Sequence, residues 1–224
     1  MSGGTKAPRN KPERGAGPRS NNGVRRRRIL EAALGAFAHK GFDGATWRSI
    51  AEDAGVTQGL IRFYFKDKAG LWKAAFTLAH DRRIGDMPPR AVRDGQADPQ
   101  DVAQWLRGFA RHVANHPEEA RMMVHDSRVR DGAATERLTW AAQIYIRADH
   151  AEFIEAVEEL KAIGWFDGIP ADDLLYMMSG AAQYRFLVPG ERLAVAEEDT
   201  RDPAVIDRHV ESLVRLFMAH APKT

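Results

Sequence analysis

The chain has 224 residues, of which 44% are hydrophobic, no cysteine, and a formal net charge of +2. That length supports one large domain or a small domain beside a larger one. The missing cysteines exclude a disulfide framework and thiolate metal sites, and no apolar run approaches the roughly 20 residues of a membrane span.

The small net charge hides an asymmetry. Residues 1–28 hold nine basic side chains and one acid, Glu13, a net of 9 − 1 = +8. The remainder holds 33 − 9 = 24 basic and 31 − 1 = 30 acidic side chains, a net of −6. A basic arm on a mildly acidic body suits a polyanion at one end. A solvated tail would look the same. No apolar leader segment opens the chain, so a cytoplasmic protein is expected.

Residues 1–23 are rich in Gly, Pro, Asn and Arg and read as a disordered basic arm. Helical periodicity follows almost everywhere, with no sustained alternation of period two, so an all-α chain of about nine helices is expected. The first helix spans about 24–40, with Leu30, Ala33, Leu34, Phe37 and Ala38 on one stripe and Gly41 as its stop. Thr46 caps a second helix that ends near Ala54, before Gly55. Thr57 caps a short third helix to about Phe63. A fourth follows Asp67 and runs to about Arg83. Residues 85–99, GDMPPRAVRDGQADP, have the composition of a linker.

The second half resumes with Asp98 as N-cap and Pro99 at the first helical position. That helix reaches about Ala114, and Pro117 starts another that Asp131-Gly132 ends. A single long helix is expected over about 134–162, broken by Gly164 and Gly168. Pro170 opens the next, to about Leu187. Asp202-Pro203 caps the last, where Ile206, Val210, Leu213 and Phe217 form a stripe.

Residues 46–64 have the spacing of a helix-turn-helix. Ile50, Ala51, Ala54, Val56, Ile61 and Tyr64 can face inward, and Gly55 permits a left-handed turn between the helices. Such a motif places its second helix in the DNA major groove. On that helix Gln58 and Arg62 are spaced i, i+4 and share a face. Gln suits adenine N6/N7 and Arg suits guanine O6/N7, which makes them the candidate base readers; two solvated polar residues are the alternative.

Residues 29–76 resemble the DNA-binding domain of the TetR family of bacterial transcriptional regulators. The likeness rests on AALGAFAHKGFDGAT, IAEDAGVTQGLI and YFKDKAGLW, in that order. HPEEARMM and IPADDLLYMMSGAAQ resemble the family's variable C-terminal part more weakly. The departures are Arg62, where the family often has Tyr, and Phe63, where it often has His or Tyr; they affect the operator sequence rather than the docking mode. The family often has glycine where Gly59 stands. An internal helical glycine costs roughly 1 kcal/mol against alanine. A helix without a Cβ there can approach DNA closely, although close packing on another helix would also call for glycine. The resemblance implies backbone contacts for Thr46 and Lys68, and Arg48, Thr57 and Tyr64 join them as candidate phosphate ligands. The Tyr64 ring could equally be core with its hydroxyl reaching outward. Arg25 to Arg28, with Arg27 and Arg28 nearest the motif, are expected to open the first helix and reach phosphates or the minor groove.

The resemblance also implies a small-molecule cavity in the second half. Trp105, Phe109, Met122, Met123, Tyr145, Phe153 and Tyr176 are candidates for its lining, though such side chains are mostly core. Two helices, about 171–187 and 203–220, are expected to pair with their copies in a homodimer through Leu174, Met178, Ala181, Ala182, Ile206, Val210, Leu213 and Phe217; the Ile206 stripe could instead serve the chain's own core. His112 and His116 have a metal-like spacing, but Pro117 disfavours helical backbone at His116. No metal, cofactor or catalytic residue is expected, and no P-loop, G-x-S-x-G or H-E-x-x-H motif is present.

The expected organisation is a basic arm (1–23), a helix-turn-helix head with a connecting helix (24–84), and a ligand and dimer domain (85–224). The expected function is one-component transcriptional control of a palindromic DNA operator, most simply repression relieved by a small-molecule effector. Activation on the same fold, a helical enzyme with a superficial likeness, and a non-specific DNA-coating protein are the alternatives.

Overall fold

A computed structural model describes residues 18–93, 95–127 and 134–222. The helices in chain order are α1 (Pro18–Gly44), α2 (Trp47–Ala54), α3 (Gln58–Tyr64), α4 (Lys68–Asp86), α5 (Pro99–Asn115), α6 (Glu118–Ser127), α7 (Glu136–Ala141), α8 (Arg147–Ala162), α9 (Ala171–Leu187), α10 (Pro189–Ala196) and α11 (Pro203–Met218). Among the described residues none of these helices is long and apolar enough to cross a membrane.

Caps account for most boundaries. Thr46 accepts from Ser49 N–H, and Ser49 closes a capping box with the Thr46 backbone. Thr57 accepts from Leu60 N–H, Asp67 from Gly70 N–H and Asp98 from Gln100 N–H. Gly41 is non-helical at φ 68°, and helical geometry resumes for less than a turn to Gly44. Gly55 ends α2 at φ 61°, ψ 44°, a left-handed position that glycine adopts without strain.

Two apolar clusters organise the chain. One gathers Ile29, Leu34, Phe37, Ile50, Ile61, Leu71, Trp72 and Phe76 from α1–α4, and extends to Met122 on α6 and Ala141 on α7. The other gathers α5, α8, α9 and α11 around Phe109, Leu160, Trp165, Met178, Phe186, Val210 and Leu213. Helix α4 runs from the first cluster to the edge of the second.

Several expectations need correction. Helix α1 begins at Pro18, so residues 18–23, expected to be disordered, are helical, and Arg25–Arg28 lie inside the helix rather than at its start; residues 1–17 lie outside the described residues. The single helix expected over 134–162 is α7 and α8 joined by a π-helical turn at Ala142–Ile146, a widening that periodicity does not reveal. Its expected predecessor stop, Asp131-Gly132, lies outside the described residues. The stretch expected to be linker contains a small antiparallel pair, Val92–Arg93 with Gln96–Ala97, turned at Gly95 with φ 68°. Helix α10 has no counterpart among the expected elements; Pro189 occupies its first turn, where the missing N–H is harmless.

The largest correction concerns the expected dimer contacts. Leu174, Met178, Ala182, Ile206, Val210, Leu213 and Phe217 are buried within the one chain, with Ala182 and Val210 wholly inaccessible, and Ala181 packs half-buried against the same core. The stripes on α9 and α11 close on α5. An apolar stripe reports that a face is buried, not what buries it. The outward faces of these helices carry Tyr176, Met177 and Tyr184 on α9 and Leu216 on α11, all exposed.

Candidate nucleic-acid interface and internal cavity

Helix α3 is anchored by Ile61, wholly buried, with Leu60 and Tyr64 half-buried beside it. Its opposite face is open. Gln58, Gly59, Arg62 and Phe63 are exposed, Phe63 to 80%. A phenyl ring so exposed on a seven-residue helix has no folding role there, and an apolar edge of that kind can meet a thymine methyl. The Arg62 guanidinium sits 5.6 Å from the Trp47 ring centroid, so α2 pre-orients it without burying its donors.

Gly59 faces empty space. A Cβ built there would meet only the Thr57 hydroxyl, at 3.9 Å. No neighbouring helix requires the glycine, which removes the close-packing alternative. Gly55 is constrained twice over, by its left-handed backbone and by Arg28, whose Nη2 would lie 2.7 Å from an added Cβ.

The phosphate candidates surround this face. Thr46 and Thr57 are exposed, but their hydroxyls already serve as caps. Arg48 is exposed and paired with Glu52 at 2.9 Å. Lys68 is half-buried. Its Nζ donates to the Asp43 carbonyl at 3.4 Å and lies 4.7 Å from the Phe42 ring centroid. Burial lowers the Lys68 pKa, with Asp43 opposing and Arg137 adding to the shift. The Tyr64 hydroxyl donates to the Asn22 carbonyl at 3.4 Å, tying the start of α1 to the end of α3. The ring is half-buried, and its hydroxyl is already committed to α1.

Arg25–Arg28 occupy consecutive helical positions and therefore spread around a full turn. Arg26 lies 5.4 Å from the Phe65 ring, Arg27 pairs with Glu31 at 3.4 Å, and Arg28 leans on the α2–α3 turn. The four cannot all address one groove.

The second feature is a cavity of about 420 Å³ between α4, α5, α6, α8 and α9. Of the candidate lining residues, Trp105, Phe109, Met123 and Phe153 border it, whereas Met122, Tyr145 and Tyr176 do not. Met122 is buried in the head cluster. Tyr145, in the π turn, stacks on Phe76 and shares a 2.9 Å hydrogen bond with Thr77. Tyr176 points to solvent and is 68% exposed.

Sequence reading missed the polar end of this cavity. Arg83, near the end of α4, donates from Nε to Glu119 Oε2 at 3.1 Å and from Nη2 to Asp149, and Nη2 also lies 3.0 Å from His80 Nδ1. Burial raises the carboxyl pKa of Glu119, but the facing His80 and Arg83 outweigh it and hold the group below its ordinary value. His112 Nδ1 lies 2.9 Å from Asp86 Oδ2, and burial holds that imidazole below its ordinary pKa despite the carboxylate. Its neighbour His116 ends α5 with non-helical backbone, φ −133°. No cluster of three or more potential metal ligands occurs among the described residues.

Residues 29–75 match the family model described as bacterial regulatory proteins, tetR family. The chain is similar to the HTH-type transcriptional repressor SCO4008 of Streptomyces coelicolor, 29% identical over 72% of this chain and 78% of that one. It is also similar to the HTH-type transcriptional repressor Rv1474c of Mycobacterium tuberculosis, 34% identical over 51% of this chain and 65% of that one. A TetR family transcription regulator from Marinobacter aquaeolei shares the fold, with a TM-score of 0.63 at 20% identity, over 90% of this chain and 97% of that structure.

Proposed function

We propose that the chain, whose residues 29–75 match the tetR family model and which is similar to two HTH-type transcriptional repressors, is a TetR-family regulator that represses transcription by seating α3 of each subunit of a homodimer in the major groove, and that a small molecule in the cavity releases it. The observation that carries the DNA reading is the open face of α3. Gln58, Arg62 and Phe63 project from it, and Gly59 leaves the backbone bare between them. Base reading falls to Gln58 and Arg62; backbone contacts fall to Thr46, Arg48, Thr57 and Lys68. Repression rather than activation is supported by the two relatives named as repressors.

The dimer reading keeps α9 and α11 but uses their outer faces. Tyr176, Met177 and Tyr184 on α9 and Leu216 on α11 form the exposed apolar surface, and the two helices touch where His209 Nε2 meets the Ala182 carbonyl at 3.2 Å. A two-fold dimer presents two recognition helices one DNA turn apart, roughly 34–36 Å or a multiple, so the operator is a palindrome.

The cavity is the effector site on this reading. Its polar end holds Arg83, which lies on the helix that leads directly out of the DNA-binding head. A ligand with different affinities for two positions of α4 shifts their populations and so the spacing of the two heads. Footprinting on the flanking DNA of the gene tests the whole: a protected palindrome is expected, and turnover of a substrate without any footprint would overturn it in favour of an enzyme.

A further inference from the structure

The cavity lining has a charge bias. Five charged side chains line it: Arg83, Arg90, Glu119, Asp149 and Glu152. Arg83 already serves both Glu119 and Asp149. Arg90 is engaged from outside the cavity by Glu155 at 3.6 Å and Glu159 at 2.8 Å. Glu152, on an exposed position of α8, makes no ion pair among the described residues. Within the lining, two guanidinium groups thus face three carboxylates, Glu119, Asp149 and Glu152, and one of the two guanidinium groups, that of Arg90, is also engaged by Glu155 and Glu159 from outside. Burial lowers the pKa of both His112 and His150 and so disfavours their charged forms.

The remaining walls are apolar and aromatic. Trp105 stacks on Phe109 with centroids 5.7 Å apart and planes 8° apart, and Phe153 lies 6.2 Å from Trp105. Aromatic faces attract cations through their quadrupole, most strongly where water is excluded. An anion entering the same space would have to draw Arg83 away from the buried Glu119 and the half-buried Asp149 and leave them unpaired. A cation needs no such rearrangement. We infer that the cavity is built for a lipophilic cation, an amine or quaternary ammonium carrying aromatic or alkyl groups, with its charge between Glu152, Asp149 and the Trp105–Phe109–Phe153 rings.

This inference rests on the effector-site reading, and the test separates the two. The probes are benzyldimethylhexylammonium and 4-hexylbenzenesulfonate, which are alike in apolar size and opposite in charge. Calorimetric titration of the full chain without DNA reads binding. The ammonium should bind at least about tenfold tighter than the sulfonate, and Glu152→Lys should reduce ammonium affinity by about tenfold while improving the sulfonate. Glu152→Gln should fall between wild type and Glu152→Lys, which guards against a purely steric effect of lysine. Sulfonate binding equal to or tighter than the ammonium, no ammonium binding, or ammonium affinity indifferent to Glu152→Lys would each overturn the proposal. Release of operator DNA is read in parallel. Ammonium that binds without releasing DNA defeats the effector reading and leaves the cation site standing. DNA released by the sulfonate and not by the ammonium does the reverse.

Discussion

Gly59→Ala separates folding from DNA binding at one atom. Gly59 is the second residue of α3, after Thr57 as N-cap and Gln58. Alanine there gains helix propensity, up to roughly 1 kcal/mol in a helix interior and less in a first turn. The structure supplies no opposing cost: the new methyl meets only the Thr57 hydroxyl at 3.9 Å, an ordinary contact. A gain of about 0.5–1 kcal/mol raises the melting temperature of a chain this size by about 1–4 °C. Against DNA the sign reverses. A methyl forced into a close-packed contact costs about 1–3 kcal/mol, and a dimer introduces it twice, so operator affinity should fall by about 30-fold or more. Thermal unfolding followed by circular dichroism reads the first effect. Fluorescence anisotropy on labelled operator at fixed salt reads the second. A raised melting temperature with unchanged operator affinity would refute the assignment of this face to DNA.

Arg62→Ala should relax base preference at one position per half-site, at about 1–3 kcal/mol, and Lys68→Ala should weaken all sequences alike; selection from a randomised operator pool distinguishes the two patterns. Deleting residues 1–17 removes four basic groups and one acid, Glu13, per chain, and should flatten the log–log salt dependence of DNA binding, by about 0.9 for each phosphate that the arm no longer neutralises; an unchanged slope would mean the arm does not touch DNA. Tyr184→Asp, at a 60% exposed site, should yield folded monomers in sedimentation, whereas Val210→Asp, at a wholly buried one, should unfold the chain at every concentration; a dimer that survives Tyr184→Asp would move the interface elsewhere.

The head was legible because its signals are local. Thr46, Thr57 and Asp67 act within three residues of themselves, and Gly55 acts at its own position. Ile50, Ala54 and Ile61 could therefore be placed inward from spacing, and all three are buried. The body was less legible because its decisive facts are non-local. Val210 looks the same in sequence whether α5 or a second chain covers it. Arg83, Glu119 and Asp149 are scattered over 66 residues and converge only when α4, α6 and α8 pack. Tyr145, inside the π turn, joins the head cluster, whereas Phe153, eight residues on in α8, lines the cavity.

On the proposed effector reading, that convergence would let a cavity in the body bear on DNA. Lys68 and Arg83 stand at opposite ends of α4, fifteen residues or about 22 Å apart. Only Phe65, Lys66 and Asp67 separate α4 from α3, and Phe65 is buried, so the junction is short and packed. A tilt of α4 by about 10° at the Arg83 end therefore moves the Lys68 end by about 4 Å, given that rise per residue. Contacts to bases and phosphates tolerate far less, since hydrogen bonds hold only between about 2.7 and 3.2 Å. Arg83 is held by Glu119 on α6 and Asp149 on α8. Breaking a buried ion pair outright costs about 3–5 kcal/mol, more than the 1–3 kcal/mol by which effectors and DNA are usually coupled. Full rupture is therefore unnecessary. A cation lodged beside Asp149 needs only to share that carboxylate with Arg83. On the proposed effector reading, the guanidinium would then lean towards Glu119, and α4 would move with it.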